Sequence, residues 1–426
     1  MPETVKQSFR LIWLFCIATL VLNKYGLAQS APYLKKVACD CDSAVKIPVF
    51  KKAGYGFTQA PDGFGKVMEI KARSNSDKTA FEKEHHSAWY LLEFHFSGEL
   101  IFDITPRDKK DDYDFLLFPY KDSLTCKGIL KEQIKPVRGN LSRNDTNNMS
   151  ITGLSDTVKN EFNGKGIGLQ FSKSITVKSG EKYLLVLDNV YEGGKGHKLN
   201  FSFIKDVNIS GQVVNEEGKP LAAEVTLYDD KGQELKRTTS NAKGEYKMDA
   251  RIIEYTDYSL TYIADNSFVG AETINTKNLK DPNSFANIKT VLPRLKKGNK
   301  YIMGNLNFWG GSPDLLPRSA PSLISLYQLM KKNRKMKIQI EGHVNGGIYG
   351  INLPEFQKES PESLQLLSDQ RTETVFNYLK EKGIDTSRMS KVGYSDKFML
   401  FPKPKNEYEH EANRRVEIKV LSLNND

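Results

Sequence analysis

Histidines and a carboxylate that could bind a metal ion stand together in the first third of the chain. Glu84, His85 and His86 are consecutive, and His95 follows a few residues later. Adjacent residues of a strand point to opposite faces, so one metal ion would not easily reach both neighbouring histidines. We therefore interpret the cluster as ordinary strand and loop residues, and the sequence predicts no metal or cofactor here.

A run of aspartates between residues 108 and 114 offers carboxylate oxygens, which Ca²⁺ binds in sets of roughly six to eight. Arg107, Lys109 and Lys110 lie beside or within this run, and their positive charges oppose cation binding. The pattern favours a solvated, charged turn. The members of the run are Asp108, Asp111, Asp112 and Asp114.

The remaining candidate motifs do not define an enzyme. The glycine-rich segment 164–168 follows no strand–helix unit, and His410-Glu411 lacks the second histidine of a metalloprotease helix. We find no nucleophile–base pair and no paired carboxylates at a recognisable spacing. The sequence therefore predicts a protein without enzymatic activity.

The length and composition of the chain limit its number of domains and the class of protein it can be. The chain has 426 residues, with 62 Lys and Arg against 52 Asp and Glu and a net charge of +10. At roughly 100–200 residues per domain, this length allows about two to four domains. The 39% apolar and 27% charged residues exclude a wholly disordered chain, a collagen-like repeat and a polytopic membrane protein. No nucleic-acid-binding motif accompanies the positive charge.

The first residues have the features of a secretory signal peptide. Lys6 and Arg10 precede an apolar run over residues 11–22, and Ala28 completes a small-residue cleavage site. The run is shorter than the roughly 20 residues that a membrane span needs. We expect export, with removal of residues 1–28.

Cysteines Cys39, Cys41 and Cys126 follow the predicted cleavage site. The first two are too close for an easy mutual disulfide. Two alternatives stay open: one of them pairs with Cys126, or all three remain thiols. Their spacing is not that of a zinc site.

Residues 29–205 read as short β-branched and aromatic runs between turn signals, which is typical of an all-β sandwich. The strand ending near Asp103, the segment 112–117 and the segment 179–188 resemble the pre-peptidase-type and jelly-roll β-sandwich modules of secreted bacterial proteins. The resemblance implies a module that binds or accompanies other domains.

Residues 206–277 predict a second, smaller β unit. Alternating runs at 209–214 and 224–228 are joined by glycine-containing hairpin turns. Together these runs resemble the carboxypeptidase regulatory-like fold, a transthyretin-like sandwich. The resemblance implies a spacer or a protein-contact module.

A polar, basic linker is predicted over residues 278–300, and after it the periodicity changes. Ser360 followed by Pro361 is a helix start, and Gly383 is a helix stop. The order β-α-β-α-β-β predicts an α/β sandwich with its helices on one face of the sheet. Its predicted elements are strands 301–308, 335–341, 389–394 and 415–421, and helices 321–330 and 361–382.

Four short motifs follow one another in this last zone: Gly342-His343-Val344-Asn345, then Leu367-Ser368 with Arg371, then Gly393-Tyr394, then Asn413-Arg414-Arg415-Val416. Together they resemble the OmpA C-terminal (OmpA/MotB-like) domain, and the predicted domain spans residues 301–423. The resemblance implies a periplasmic domain that binds peptidoglycan non-covalently, by holding the diaminopimelate of the stem peptide.

A zwitterionic amino-acid end needs an anion for its ammonium and an arginine fork for its carboxylate. By resemblance, Arg371 is the carboxylate-binding arginine, and Asn345 stands where the family has an ammonium-binding aspartate. A neutral amide there should weaken the bond by about 1–2 kcal/mol. Asn352, Glu355 and Glu359 of the following loop could supply the missing anion. The other expected site residues, which bind or brace, are Asn413, Arg414, Arg415, His343 and Ser368.

The sequence thus predicts a multidomain, exported protein with two all-β sandwiches followed by an α/β OmpA-like domain. We expect it in the periplasm, associated with the outer membrane or cell wall, where it would bind the peptidoglycan stem peptide and link it to an outer-membrane or secretion-machinery partner. The alternative is a secreted or surface adhesin that binds glycans through its amino-terminal sandwich.

Overall fold

The computed structural model of the chain describes residues 38–50, 52–56, 58–71, 76–143, 150–277, 285–346 and 360–423. The predicted leader, residues 1–28, lies outside these ranges. The chain divides into two compact units, Met1–Phe203 and Ile204–Asp426. Among the described helices, none combines the length and apolar composition needed to cross a bilayer.

The first unit is built of antiparallel and parallel strands with one short helix. In chain order its described elements are β1 (Val45–Val49), β2 (Lys52–Tyr55), β3 (Ser87–Phe94), β4 (Gly98–Pro106), β5 (Tyr113–Tyr120), α1 (Thr125–Leu130), β6 (Arg138–Arg143), β7 (Thr152–Ser155), β8 (Phe162–Ile167), β9 (Phe171–Lys173), β10 (Ile175–Val177) and β11 (Lys182–Asn189). One sheet has the strand order β1-β3-β11-β5-β6-β8, and in another β4 pairs with β7 and β10.

Strands β3 and β11 are apolar on both faces because both faces of their sheet are covered. Tyr90 and Leu185 point into one hydrophobic cluster, which the strands of the two sheets share. Trp89 and Val186 point the other way, into a second cluster that includes Phe81 from the preceding loop. The predicted β-sandwich architecture of this region is confirmed.

A disulfide joins Cys41 to Cys126 across 85 residues of chain. It links the short turn at 41–43 to helix α1 inside the second hydrophobic cluster. Cys39 remains a free thiol and donates to the carbonyl of Asp62. Of the two alternatives for the cysteines, the pairing of one early cysteine with Cys126 is therefore the correct one.

The second unit begins within a long strand, β12 (His197–Asn215). The described elements that follow are β13 (Ala223–Tyr228), β14 (Glu234–Thr239), β15 (Glu245–Ile253), β16 (Asp257–Ala264), β17 (Gly270–Asn275), β18 (Phe285–Leu292), β19 (Lys300–Ile302), α2 (Ala320–Lys332), β20 (Lys337–Gly342), α3 (Pro361–Glu381), β21 (Met389–Gly393), α4 (Glu407–Asn413) and β22 (Val416–Ser422). From residue 204 onward, β12 pairs with β15 and β18. A second sheet has the order β14-β13-β16-β17, and a third has the order β19-β22-β20-β21.

Part of the predicted linker is not a linker. Residues 285–292 form strand β18, which pairs in parallel with β12 and buries Thr290 and Leu292. The sequence prediction missed this strand because residues 285–292 lie within a longer polar, basic segment. Farther along, the ring of Tyr301 stacks on Phe268 with centroids 4.5 Å apart. One hydrophobic cluster thus joins the β region and the carboxy-terminal α/β region of this unit.

The carboxy-terminal region has the order β-α-β-α-β-α-β, so the predicted order lacked helix α4. Asn406 starts this helix by accepting a hydrogen bond from the backbone N–H of Glu409. Strand β19 is shorter than the predicted 301–308, because Asn305 adopts a left-handed conformation with φ 55° and turns the chain. The predicted start of α3 is confirmed: the Ser360 hydroxyl accepts from Ser363 N–H, and Pro361 occupies the first turn.

Two carboxyl groups of the first unit are buried close to each other. Burial raises the pKa of Glu84 to about 9, and the neighbouring Glu69 adds to this. Burial also raises the pKa of Glu69 to about 7, although the backbone N–H of Cys41 donates to it at 2.8 Å. Both groups therefore hold a proton in the folded state at a pH where the unfolded chain has lost it.

We predict that the stability of the first unit falls as the pH rises. Both groups contribute their full stabilisation below pH 4.5. The contribution of Glu69 is lost as the pH rises through about 7, and that of Glu84 as the pH rises through about 9. Each group lowers the free energy of unfolding by up to about 1.4 kcal/mol per pH unit. Melting curves between pH 4 and 9 should show a shallower pH dependence for Glu84→Gln than for the wild type. The exposed neighbour provides the control, since Glu82→Gln should leave the pH dependence unchanged.

Loss of the disulfide should destabilise the first unit. Because the bond closes a long loop, Cys41→Ser should lower the free energy of unfolding by about 2–5 kcal/mol in chemical denaturation. Cys39→Ser removes a thiol that forms no disulfide and should change it little. Equal effects of the two substitutions would contradict the pairing.

Candidate functional site

Two parallel strands end side by side in the carboxy-terminal region. Strands β20 and β21 pair from Ile338↔Met389 to Gly342↔Gly393. Beyond them the chains stay together, since Tyr394 N–H donates to Gly342 O at 2.8 Å and Val344 N–H donates to Ser395 O at 3.0 Å. The carboxyl ends of parallel strands are a common place for ligand sites, because the loops that follow them converge there.

Helix α3 lies directly against these strand ends. The hydroxyl of Ser368 accepts from Ser395 N–H at 3.0 Å and donates to Gln365 O at 2.8 Å. A Cβ at Gly342 would collide with the carbonyl of Ser368, and one at Gly393 would collide with its hydroxyl. Glycine at both positions therefore allows the helix to approach, and Ser368 joins the helix to the strand edge.

Asn345 is held by side chains from helix α4. Its Oδ1 accepts from Asn413 Nδ2 at 2.8 Å, and its Nδ2 lies 3.0 Å from His410 Nδ1. Asn413 is fully buried and also binds both the N–H and the carbonyl of Phe401. The structure therefore brings two predicted site residues together, but it uses the Asn345 oxygen in an internal hydrogen bond.

Arg371 is not a solvated helix charge: its side chain is only 1% exposed. Its Nε donates to Ser312 O at 3.2 Å, and its guanidinium lies over the ring of Phe308, 4.9 Å from the centroid. These partners belong to the turn after β19, which is closed by a hydrogen bond from Trp309 N–H to Asp314 O. The contacts fix the direction of the guanidinium plane.

The two arginines after Asn413 have different environments. Arg414 pairs with Glu407, whose carboxylate is largely exposed. Arg415 is 5% exposed, and its Nε donates to Glu417 Oε1 at 2.6 Å while Nη2 donates to Phe398 O at 3.0 Å. Both arginines are therefore paired within the chain.

His343 lies in a buried charged cluster on the sheet. One of its ring nitrogens and one carboxylate oxygen each from Glu341 and Glu417 lie within 4.8 Å of one another, a spacing compatible with a metal ion. Two cations already balance the carboxylates: Lys300 lies 2.6 Å from Glu341, and Arg415 pairs with Glu417. Burial, with Arg415 nearby, lowers the pKa of His343 to about 4, so the ring is neutral at pH 7. We interpret the cluster as an ion-pair network.

The early histidines also have structural partners. His85 Nδ1 lies 2.8 Å from the buried carboxylate of Asp188, and His86 Nδ1 accepts from Gly63 N–H at 3.0 Å. Of the aspartate run, Asp111 accepts from Lys195 N–H at 2.8 Å and is buried, so the run is not a fully solvated turn. The loop candidates Asn352, Glu355 and Glu359 lie outside the described residues.

Two side chains near the strand edge were missed by the sequence reasoning. Asp396 follows Ser395 and lies against the backbone of Gly346, and Trp309 is 55% exposed in the turn that holds Arg371. The available signal for Asp396 was its position three residues after Gly393, at the end of a predicted strand.

The fold and site together define an α/β domain with a polar site at the ends of two parallel strands. Residues 307–414 match the model of the OmpA family. The chain therefore contains an OmpA family domain, as its motifs predicted. No curated protein matches the chain.

Solved structures with a similar domain come from several bacteria. The periplasmic domain of Helicobacter pylori MotB is 17% identical and covers 28% of this chain and 73% of its own, with a TM-score of 0.23. The peptidoglycan-associated lipoprotein from Burkholderia pseudomallei is 18% identical and covers 27% of this chain and 87% of its own, with a TM-score of 0.23. The cell wall anchor of the T6SS from Pseudomonas aeruginosa is 21% identical and covers 28% of this chain and 78% of its own, with a TM-score of 0.23.

We predict that Asn413→Ala lowers the free energy of unfolding of the second unit by about 2–3 kcal/mol, because it leaves the buried polar groups of Phe401 and Asn345 without partners. Thermal or chemical denaturation measures the change. Gln370→Ala, on the exposed face of α3, should have little effect. An Asn413→Ala protein as stable as the wild type would show that this network does not support the site.

Proposed function

We propose that the protein is a non-enzymatic component of the cell envelope that binds peptidoglycan non-covalently through its OmpA-like domain. The observation that carries the proposal is the buried, oriented Arg371 beside the strand edge, within the residues that match the OmpA family. A guanidinium fixed by backbone carbonyls and an aromatic ring is preorganised to bind a planar carboxylate.

The ligand proposed for this site is the zwitterionic end of the diaminopimelate in a stem peptide. Its carboxylate would bind Arg371, and its ammonium needs an oxygen acceptor at the same strand edge. A side chain that is already ordered loses little conformational entropy when the ligand binds. The buried surroundings of Arg371 also strengthen a charge-assisted hydrogen bond relative to one in water.

The remaining parts of the proposal concern place and partners. The amino-terminal leader supports export, and the peptidoglycan ligand would keep the protein in the periplasm, at the cell wall and outer membrane. The two β regions would contact an outer-membrane or secretion-machinery partner. The net charge of +10 favours a position next to an anionic wall and membrane surface.

Co-sedimentation with insoluble peptidoglycan tests the proposal. We expect the full-length protein to pellet with sacculi that contain meso-diaminopimelate, and Arg371→Ala to reduce the bound fraction at least about tenfold, as the loss of a charge-assisted pair implies. Free meso-diaminopimelate should release the wild-type protein from the pellet.

Lys380→Ala provides a matched control, since it removes an exposed cation from the same helix. Its bound fraction should equal that of the wild type. Because Arg371 is buried, circular dichroism and melting must show that Arg371→Ala is folded. Folded Arg371→Ala that pellets as well as the wild type, or wild type that stays in solution, would overturn the proposal.

A further inference from the structure

Among the described residues, Asp396 is a carboxylate at the strand edge that the fold uses little. Asp396 is half-buried, and its Oδ1 receives only a long hydrogen bond, 3.3 Å, from the Ser395 hydroxyl. Within the described parts of the chain, no lysine, arginine or histidine lies within ion-pair distance of it. An anion held at a ligand site without a cation partner is suited to bind a cationic group.

The neighbouring described carboxylates each have hydrogen-bond or ion-pair partners within the fold. Asp369 accepts from Gly393 N–H at 2.9 Å and from a glutamine side chain, which joins α3 to β21. Glu341 is paired with Lys300, and Glu417 is paired with an arginine. Asp396 differs from these three carboxylates because it has no ion pair and only one long hydrogen bond among the described residues.

The backbone holds Asp396 in place. Ser395 has a left-handed conformation, with φ 54°, which is uncommon for a residue with a side chain. Two hydrogen bonds fix it there, from its own N–H to the Ser368 hydroxyl and from Val344 N–H to its carbonyl, both 3.0 Å. The turn directs Asp396 back over the chain that follows β20.

Gly346 makes room for this carboxylate. A Cβ at position 346 would collide with Oδ2 of Asp396, so the close approach requires glycine. Asn345 is the preceding residue, and its own oxygen is occupied by Asn413. Asp396 therefore brings a negative charge next to Asn345, which is neutral and whose oxygen already accepts one hydrogen bond.

Arg371 lies on the same side of α3 as the contact with Ser395. Residues three apart on a helix are neighbours on its surface, at about 5–6 Å between their Cβ atoms. Arg371 is three residues after Ser368, whose hydroxyl binds the residue before Asp396. Arg371 and the residue before Asp396 therefore both lie next to Ser368 of α3.

We propose that Asp396 binds the ammonium group of the zwitterionic ligand end while Arg371 binds its carboxylate. This inference rests on the proposed function and names the anion that position 345 lacks. It makes Asp396 a specificity-determining residue that distinguishes a diaminopimelate end from an end without the amine.

Two synthetic peptides test the inference by isothermal titration of the full-length protein. One is L-Ala-γ-D-Glu-meso-diaminopimelate, and the other ends in 2-aminopimelate, which keeps the distal carboxylate and lacks the distal amine. We expect the wild type to bind the first peptide at least about tenfold more tightly, as a charge-assisted bond to the ammonium requires. Asp396→Asn should lose this preference and bind the second peptide as the wild type does.

Two further variants complete the experiment. Asp230→Asn, which removes an exposed aspartate in the hairpin between β13 and β14, should keep the wild-type preference. Arg371→Lys should weaken the binding of both peptides, because both carry the carboxylate. The inference is overturned if Asp396→Asn keeps the preference, if it weakens both peptides equally, or if the wild type has no preference.

The same measurements separate this inference from the proposed function. If the wild type pellets with sacculi and prefers the diaminopimelate peptide, and Asp396→Asn keeps the same preference, the proposed function stands and Asp396 is excluded as the anion. Wild-type protein that binds neither peptide nor sacculi would overturn both.

Discussion

The close contact between helix α3 and the ends of β20 and β21 is the constraint on which the site depends. The hydroxyl of Ser368 binds the backbone after β21, and two glycines leave no side chain between helix and strands. A shift of the helix by the width of one methyl group would break this hydrogen bond, since such bonds weaken steeply with distance and angle. Arg371 and Asp396 both take their positions from it.

Buried charge is a second organising feature of the same region. Arg371 is stabilised by carbonyl groups and an aromatic face, and the pairs Lys300–Glu341 and Arg415–Glu417 neutralise each other on the sheet. A buried charge without partners would be strongly destabilising, whereas a paired and hydrogen-bonded one is tolerated. The site thus combines one arginine whose direction is set by the fold with one aspartate, Asp396, that pairs with no cation among the described residues.

Much of the α/β region was predictable because its signals are local. The cap at Ser360 with Pro361, and the apolar period of both long helices, depend only on neighbouring residues. The errors fall where distant contacts decide. Strand β18 lies within a polar, basic segment but pairs with β12, and α4 is a short helix that places Asn413 against Asn345. The cysteine pairing, whose partners are 85 positions apart, likewise could not follow from spacing.

The sequence alone determined the class of the carboxy-terminal domain and the order of most of its elements. These properties are carried by local periodicity, capping residues and short motifs, so they are readable without coordinates. Only the tertiary structure showed that Asn345 Oδ1 accepts from Asn413 and that Asp396 pairs with no cation among the described residues. These arrangements depend on Asn413, Ser368 and Gly346, which are far apart in the chain, and hydrogen-bond partners at such separations leave no local pattern in a single sequence.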